Sequence, residues 1–303
     1  MDKVLCLLYH RINPIEDDIY HLTVSPENFE EQIRFLKNNF PILRFEEDWT
    51  KGSGIGVVIT FDDGYADNYE YALPILEKYQ VPATIFVSTG YVNSGHEYWW
   101  DEIGRLLMAD VSYPSRFALR DSLYNYEWDT DSKEKRIDLV KSLHWILKMD
   151  PDTARVDLFI EKLRGWSGLS ADARLANLPV SLRQMESLNN SAYITIGGHT
   201  VNHRSLGVCS KEEQRYEIGA SLCFLEQRLG EKIVVFSYPF GSAVHFNTDT
   251  FEACRDYGIV KAATTVKRLW DRSYGSYEIP RMEAGDYDRK RFEQFIRECG
   301  VLE

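Results

Sequence analysis

The sequence predicts an α/β fold whose parallel strands form either a barrel or a doubly wound sheet. Short apolar runs alternate with amphipathic stretches along most of the chain, and this rhythm is typical of parallel strands joined by right-handed crossovers. The chain has 303 residues, a length at which barrels commonly form single units. The rhythm is broken once, between about 97 and 190, which indicates an insertion.

The elements follow from apolar periodicity and from local start signals. Ser25 as N-cap and Pro26 at the first helical position mark the start of the first helix. The predicted strands are residues 4–9, 56–61, 83–88, 193–197, 233–238 and 259–264. The later predicted helices lie at about 71–76, 211–229, 247–257 and 288–298.

The interval that breaks the rhythm has helical spacing, for example at Ile137, Val140 and Leu143. No linker rich in Pro, Gly or Ser separates it from the rest, and it contains no repeat or low-complexity tract. We therefore interpret residues 1–303 as one domain that carries a helical insertion at about 97–190.

The composition is that of a globular protein and argues against several classes. Hydrophobic residues make up 44% and charged residues 27% of the chain, so disorder is excluded as the main state. The longest apolar runs, residues 4–9 and 54–61, are far shorter than a transmembrane segment. The formal net charge of -12 would repel a polyanion, which argues against nucleic acid as a partner.

The N-terminus and the cysteines favour the cytoplasm. The opening MDKVLCLLYHR has a short apolar stretch and no small-residue cleavage site, unlike a signal peptide. The five cysteines are odd in number, scattered along the chain and without a CxxC pair. This pattern favours reduced thiols over a disulfide framework.

The segment ITFDDGYAD at 59–67 ends a predicted strand with two adjacent carboxylates, Asp62 and Asp63. Neighbouring side chains on an extended segment point in different directions, so one carboxylate can bind a metal while the other faces water or substrate. Active sites of α/β proteins assemble at such strand ends. A solvated Asp-Gly turn is the alternative interpretation.

The segment GGHTVNH at 197–203 also follows a predicted strand and places His199 and His203 four residues apart. On one helical turn their imidazoles share a face and can bind one divalent ion, although an isolated HxxxH pair is weak evidence. With a carboxylate from another strand end, they form the two-His, one-carboxylate set of a catalytic zinc or similar site.

Three motifs in order, TFDDGY, HTVNH and YPFG, resemble the signature of the polysaccharide deacetylase family, carbohydrate esterase family 4. The resemblance covers roughly residues 1–95 and 190–300. It implies a distorted (β/α) barrel of about seven parallel strands that hydrolyses N-acyl groups on amino sugars. It also implies one divalent metal ion, zinc in the first place and cobalt, nickel or manganese as alternatives.

The resemblance assigns roles residue by residue. Asp62 resembles the general base of the family, and Thr200 matches a hydroxyl that braces the histidine loop. Phe240 matches a position whose backbone N–H helps to hold the oxyanion. The implied metal ligands are Asp63, His199 and His203.

The chain departs from the family pattern at two positions. Ser237 stands where the family usually has an Arg that orients the base, and we expect Arg281, in EIPRME at 278–283, to replace it; a surface Arg is the alternative. The late His that acts as general acid is missing, because no His occurs between 260 and 303. The first strand, VLCLLYH, resembles that motif moved to the N-terminus, as in a circularly permuted branch, which makes His10 the expected acid.

The expected function is metal-dependent removal of an N-acyl group, in the first place acetyl, from an amino sugar. The expected partner is an N-acylated sugar within a glycan, a lipid-linked precursor or a nucleotide-linked precursor. A non-catalytic carbohydrate-binding protein on a degenerate barrel and a sugar N-deformylase are the alternatives. Since sugars bind aromatic faces, the substrate contacts are expected among Tyr65, Trp100, Tyr238 and Phe240, although these rings could instead pin the insertion to the barrel.

Overall fold

The order of strands and helices follows the alternation expected from the sequence. The computed structural model describes residues 1–14 and 18–302. The strands are β1 (Lys3–Tyr9), β2 (Arg11–Ile12), β3 (Thr23–Val24), β4 (Ile42–Leu43), β5 (Ile55–Phe61), β6 (Ala83–Val87), β7 (Arg116–Arg120), β8 (Asn125–Asp129), β9 (Ile194–Gly198), β10 (Val235–Ser237), β11 (Lys261–Ala263) and β12 (Met282–Glu283). The helices are α1 (Pro26–Asn39), α2 (Leu73–Tyr79), α3 (Trp99–Met108), α4 (Lys133–Lys148), α5 (Thr153–Ser167), α6 (Leu182–Asn189), α7 (Lys211–Leu229), α8 (Thr248–Asp256) and α9 (Arg289–Glu298).

The chain forms two compact units. The first consists of residues 1–94 and 179–303, and the second of residues 95–178. The second unit contains α3, α4 and α5 together with the antiparallel hairpin β7–β8. Helix α6 lies within the interval that the sequence assigned to the insertion, and it belongs to the first unit.

The first unit is built on a curled parallel sheet. Its strand order is β11-β10-β9-β6-β5-β1-β12, with β4 also paired to β5. An isolated bridge from Ala263 to Ile279 connects β11 to the segment that leads into β12. The predicted distorted (β/α) barrel of about seven parallel strands is therefore confirmed.

The alternation of side chains along each strand separates two apolar layers. On β1, Leu5 and Leu7 pack with Phe29 and Ile33 of α1, in the layer between sheet and helices. The intervening residues, such as Cys6, belong to a second cluster inside the curl of the sheet. Burial on both faces explains why these strands read as continuous apolar runs.

Helix α7 has the bounds that the sequence predicts. Ser210 and Glu213 form a capping box at its start, and Gly230 ends it in the left-handed conformation with φ 74°. Strands β10 and β11 are shorter than predicted, with three residues each. No helix in residues 1–14 and 18–302 combines the length and the apolar character needed to cross a membrane.

Candidate active site

The polar residues of the predicted motifs lie at the carboxyl ends of neighbouring parallel strands in the first unit. The backbone N–H of Asp62, directly after β5, donates to Tyr9 O at 3.0 Å. The backbone N–H of His199, directly after β9, donates to Val87 O at 3.1 Å. Because parallel strands end at the same edge of a sheet, these residues share one site.

Three side chains at this edge form a buried cluster that could hold a metal ion. Their candidate ligand atoms all lie within 4.8 Å of one another. Oδ1 of Asp63 is 3.4 Å from Nε2 of His199 and 3.2 Å from Nε2 of His203. The sequence-predicted set of Asp63, His199 and His203 is therefore brought together.

The protonation of these side chains fits a divalent cation. Nδ1 of His199 donates to the carbonyl oxygen of Ser237 at 2.7 Å, because a carbonyl only accepts, and Nε2 is therefore the ring atom left to bind a metal. Burial lowers the pKa of His203 despite the nearby carboxylate. Burial alone would raise the pKa of Asp63, but the two imidazoles hold that pKa far below its ordinary value. Neutral imidazole and ionised carboxylate are the forms that bind metals.

Left-handed backbone conformations are concentrated at this site. They include Asp63 (φ 73°), Thr200 (φ 65°), His203 (φ 51°) and Phe240 (φ 61°). Such conformations are unfavourable for residues other than glycine, above all for β-branched ones, and they persist where the surroundings impose them. At Asp63 the turn separates two adjacent carboxylates into different environments.

Asp62 is held by a buried guanidinium group. Nη1 and Nη2 of Arg281 donate to its two carboxylate oxygens at 2.7 and 2.6 Å. The hydroxyl of Ser237 donates to Asp62 at 3.1 Å and accepts from Arg281 at 2.8 Å. Burial alone would raise the pKa of Asp62, but Arg281 keeps it below its ordinary value. Arg281, which is fully buried, and Ser237 thus meet at the same carboxylate.

His10 lies half-buried immediately after β1. The proximity of His10 contributes to lowering the pKa of both Asp62 and Asp63, so the imidazole lies near both carboxylates. The side-chain amide of Asn68 donates to the carbonyl oxygen of His10 at 2.8 Å. The Phe240 ring, partly exposed, lies 4.7 Å from the His203 ring.

The three other aromatic residues expected to contact sugar are buried. Tyr65 is fully buried, and the Arg11 guanidinium lies 4.6 Å from its ring. Tyr238 is also fully buried and donates its hydroxyl to Tyr277 O at 3.1 Å. Trp100 belongs to the second unit, where its ring stacks on Tyr98 at 4.5 Å. Each of these rings therefore has packing partners in the protein.

The hydrogen bonds that hold the histidine loop, residues 199–203, differ from the expectation. Within the described part of the chain, the Thr200 hydroxyl has no hydrogen-bond partner, so the expectation that it braces the loop is wrong. Glu217 of α7, which the sequence analysis missed, accepts hydrogen bonds from this loop instead. The available signal was a carboxylate beside Ile218 and Leu222 on the buried face of α7.

Comparison with known proteins assigns the sequence to a family. The family model described as polysaccharide deacetylase matches residues 51–116 and 176–262, about half of the chain. A poly-beta-1,6-N-acetyl-D-glucosamine N-deacetylase of Staphylococcus aureus (strain MSSA476) is 34% identical over 122 residues, which cover 34% of this chain and 42% of that protein. The chain thus matches less than half the length of this curated relative.

Solved structures share the fold of this chain. IcaB from Ammonifex degensii superposes with a TM-score of 0.62 and 16% identity, covering 100% of this chain and 98% of that one. The Streptococcus pyogenes deacetylase PplD, in complex with acetate, gives a TM-score of 0.61 and 18% identity, and the match covers 96% of this chain and 97% of that one. At these identities the similarity establishes the fold alone.

Proposed function

Because this chain belongs to the polysaccharide deacetylase family, we propose that it is a metal-dependent hydrolase that removes the acetyl group from an N-acetylated amino sugar. The observation that carries the proposal is the pair of adjacent aspartates with different partners. Asp62 is bound to Arg281, and Asp63 faces His199 and His203. This separation supplies a base and a metal-ligand set at one strand edge.

Asp63, His199 and His203 would hold the divalent ion, zinc in the first place. When bound, such an ion lowers the pKa of a water molecule and polarises the carbonyl of the substrate. The Ser237 carbonyl keeps His199 in the tautomer whose Nε2 is a ligand atom. Two imidazoles and one carboxylate leave positions open for water and substrate, as catalytic zinc sites require.

Asp62 is the proposed general base. An ionised carboxylate has about four lone-pair sites, so Asp62 can accept a proton while Arg281 holds both of its oxygens. Asp62 takes the proton of the attacking water as the water oxygen bonds to the carbonyl carbon. The hydroxyl of Ser237 and the guanidinium fix the direction of the carboxylate, which is the positioning that proton transfer needs.

His10 is the proposed general acid, and Phe240 supplies the proposed oxyanion contact. As the C–N bond breaks, the nitrogen takes a proton from His10 and leaves as a free amine. The backbone N–H of Phe240 is proposed to donate to the developing oxyanion. Its partly exposed ring is the proposed sugar contact, and the buried Tyr65, Tyr238 and Trp100 are not used.

N-acetylglucosamine units are the proposed substrate class, since curated relatives of this chain are named as N-deacetylases of poly-β-1,6-N-acetylglucosamine. The cytoplasmic location expected from the scattered, odd-numbered cysteines favours an intracellular glycan precursor. Mass spectrometry of the N-terminus of the cellular protein tests that location. A processed N-terminus would contradict it.

The function is tested by measuring the acid that the purified protein releases. The protein is stripped with a chelator, reloaded separately with zinc, cobalt, nickel or manganese, and offered N-acetyl and N-formyl oligosaccharides and nucleotide sugars. We expect acetate from N-acetylated substrates with reloaded protein and none with stripped protein. Binding of glycans without acid release would favour the non-catalytic alternative. Preferential release of formate would identify the protein as a sugar N-deformylase instead of a deacetylase.

A further inference from the structure

The loop between the two ligand histidines is held from one side by a buried glutamate. Glu217 of α7 is only 1% exposed. Its Oε2 accepts from the backbone N–H groups of Val201 and Asn202, both at 2.9 Å. Its Oε1 accepts from Nδ2 of Asn202 at 2.8 Å. One carboxylate therefore takes three hydrogen bonds from residues that lie between His199 and His203.

The carbonyl groups of the same loop are held from the opposite side. The backbone N–H groups of Thr89 and Gly90 donate to the carbonyl oxygens of Thr200 and Val201 at 3.1 and 2.8 Å. A Cβ atom at Gly90 would lie 2.7 Å from Val201 O, so only glycine allows this approach. The loop is therefore hydrogen-bonded both to the segment after β6 and to helix α7.

These hydrogen bonds from both sides maintain an unfavourable backbone conformation in the loop. Thr200 and His203 have φ angles of 65° and 51°, and residues other than glycine adopt this left-handed region only where their surroundings impose it. In this conformation the N–H groups of Val201 and Asn202 both point at Glu217. A charged acceptor is a stronger hydrogen-bond partner than a neutral one, so the carboxylate favours this loop shape over relaxed alternatives.

We infer that Glu217 is a positioning residue that sets the spacing of the two histidine ligands through the loop between them. The inference rests on the proposed function, because it assumes that His199 and His203 bind a divalent ion. Glu217 bonds to the loop backbone and to Asn202, and it is not a ligand itself. Its removal should weaken metal binding while leaving the chemistry of a loaded site largely intact.

The test compares the zinc affinity of Glu217→Ala with that of Glu212→Ala, using competition with a chromophoric chelator. Glu212 is an exposed residue of the same helix, and its variant should bind zinc within about twofold of the wild type. Glu217→Ala should bind zinc roughly 10- to 100-fold more weakly, the usual cost of losing an outer-shell partner. At saturating zinc its turnover should recover, which separates weakened metal binding from damage to the chemistry.

Glu217→Gln should rescue most of the affinity. Its amide oxygen can accept from both backbone N–H groups, and its NH₂ can donate to Asn202 once that side-chain amide rotates by half a turn. Retention of affinity in this variant would show that the acceptor geometry matters more than the charge. Loss of affinity equal to that of Glu217→Ala would contradict the proposed hydrogen-bonding role.

Wild-type zinc affinity in a folded Glu217→Ala protein would overturn the inference and leave the proposed function standing. If that variant does not fold, Asn202→Ala decides, because Asn202 is exposed and contributes one of the three bonds. A decrease of roughly three- to tenfold in zinc affinity is expected for Asn202→Ala, and no decrease would overturn the inference. A wild-type protein that binds no divalent ion would overturn the proposed function and this inference together.

Discussion

Two adjacent carboxylates of this chain have very different surroundings. Asp62, Arg281 and Ser237 form what we call the base half of the site, in which a guanidinium and a hydroxyl bind one carboxylate. Asp63, His199 and His203 form the metal half, in which the carboxylate faces two imidazoles. The left-handed turn at Asp63 (φ 73°) is what separates them.

The difference teaches how one short motif can supply two functions. In the base half a fixed positive charge balances the carboxylate, so Asp62 stays ionised and oriented. In the metal half the imidazoles would bind a metal ion in their neutral form, so the negative charge of Asp63 favours a cation between the three side chains. Variants of the metal half should therefore change metal content, and variants of the base half should change turnover at unchanged metal content.

The largest effect is expected from the double variant His199→Ala, His203→Ala. Removing two of the three proposed ligands should reduce metal content from about one ion per chain to none, with complete loss of turnover. Elemental analysis of the dialysed protein measures the first effect and acid release the second. Circular dichroism checks the fold, and unchanged metal content in a folded double variant would eliminate the site.

Asp62→Asn tests the base half with a single atom exchanged. The variant should keep its metal and lose roughly 10²- to 10⁴-fold in turnover, the usual contribution of a general base. Because it leaves the buried Arg281 without its carboxylate, it should also lower the free energy of unfolding by about 3–5 kcal/mol. Turnover and metal content are therefore measured at a temperature where thermal unfolding shows a folded protein. Near-normal turnover would rule out Asp62 as the base.

The components of both halves differ in how far the sequence could predict them. Asp62, Asp63, His199 and His203 occur in short motifs at strand ends, so local spacing and the alternation of strands indicated that they meet at one edge of the sheet, and the family resemblance implied their roles. Arg281 could be expected because it also follows a strand-like run, and the structure brings it to Asp62. The fold could be predicted for the same reason, since the strands of a parallel sheet are continuous apolar runs.

The remaining features depend on contacts between segments distant in sequence. Tyr238 shares the side of β10 on which Phe236 lies, so it packs in the layer between sheet and helices, whereas Ser237 points to Asp62. Glu217 meets the histidine loop only because α7 packs beside β9. The hairpin β7–β8 was missed because its alternation, with Phe117 and Leu119 buried, lies among stretches of helical spacing.

His10→Ala should lower turnover on N-acetylated sugars by roughly 10²- to 10⁴-fold while leaving metal content unchanged. An amine is a poor leaving group unless it is protonated as the C–N bond breaks. An activated aryl acetate needs no such proton, so the same variant should hydrolyse it at close to the wild-type rate. Equal losses on the two substrates would contradict an acid role, and full activity on amides would place the acid at another residue.

Arg281→Lys keeps the positive charge of the base half but removes the forked geometry. A lysine ammonium cannot bind both oxygens of Asp62 in the parallel arrangement of the guanidinium, so the carboxylate loses its fixed direction. Because a misplacement of about 1 Å can cost roughly 10²-fold, we expect a decrease in turnover up to that size, with metal content unchanged. A steady-state comparison with Arg268→Lys, an exposed arginine on the loop after β11, controls for the substitution itself. Equal turnover in both variants would show that the charge alone suffices.

Ser237→Ala should have the smallest effect and is the sharpest test of the division into halves. Ser237 contacts both halves of the site. Its hydroxyl bonds to Asp62 and Arg281 of the base half. Its carbonyl oxygen accepts from Nδ1 of His199 in the metal half. The variant deletes the hydroxyl and keeps the carbonyl, so only the base half loses a contact. Of the two hydrogen bonds lost, the one that orients the base is the one donated to Asp62. One such bond contributes about 1 kcal/mol, which corresponds to a decrease in turnover of roughly fivefold at unchanged zinc affinity. Weaker zinc binding in Ser237→Ala would mean that the two halves are coupled through this residue, and that the separation imposed at Asp63 is incomplete.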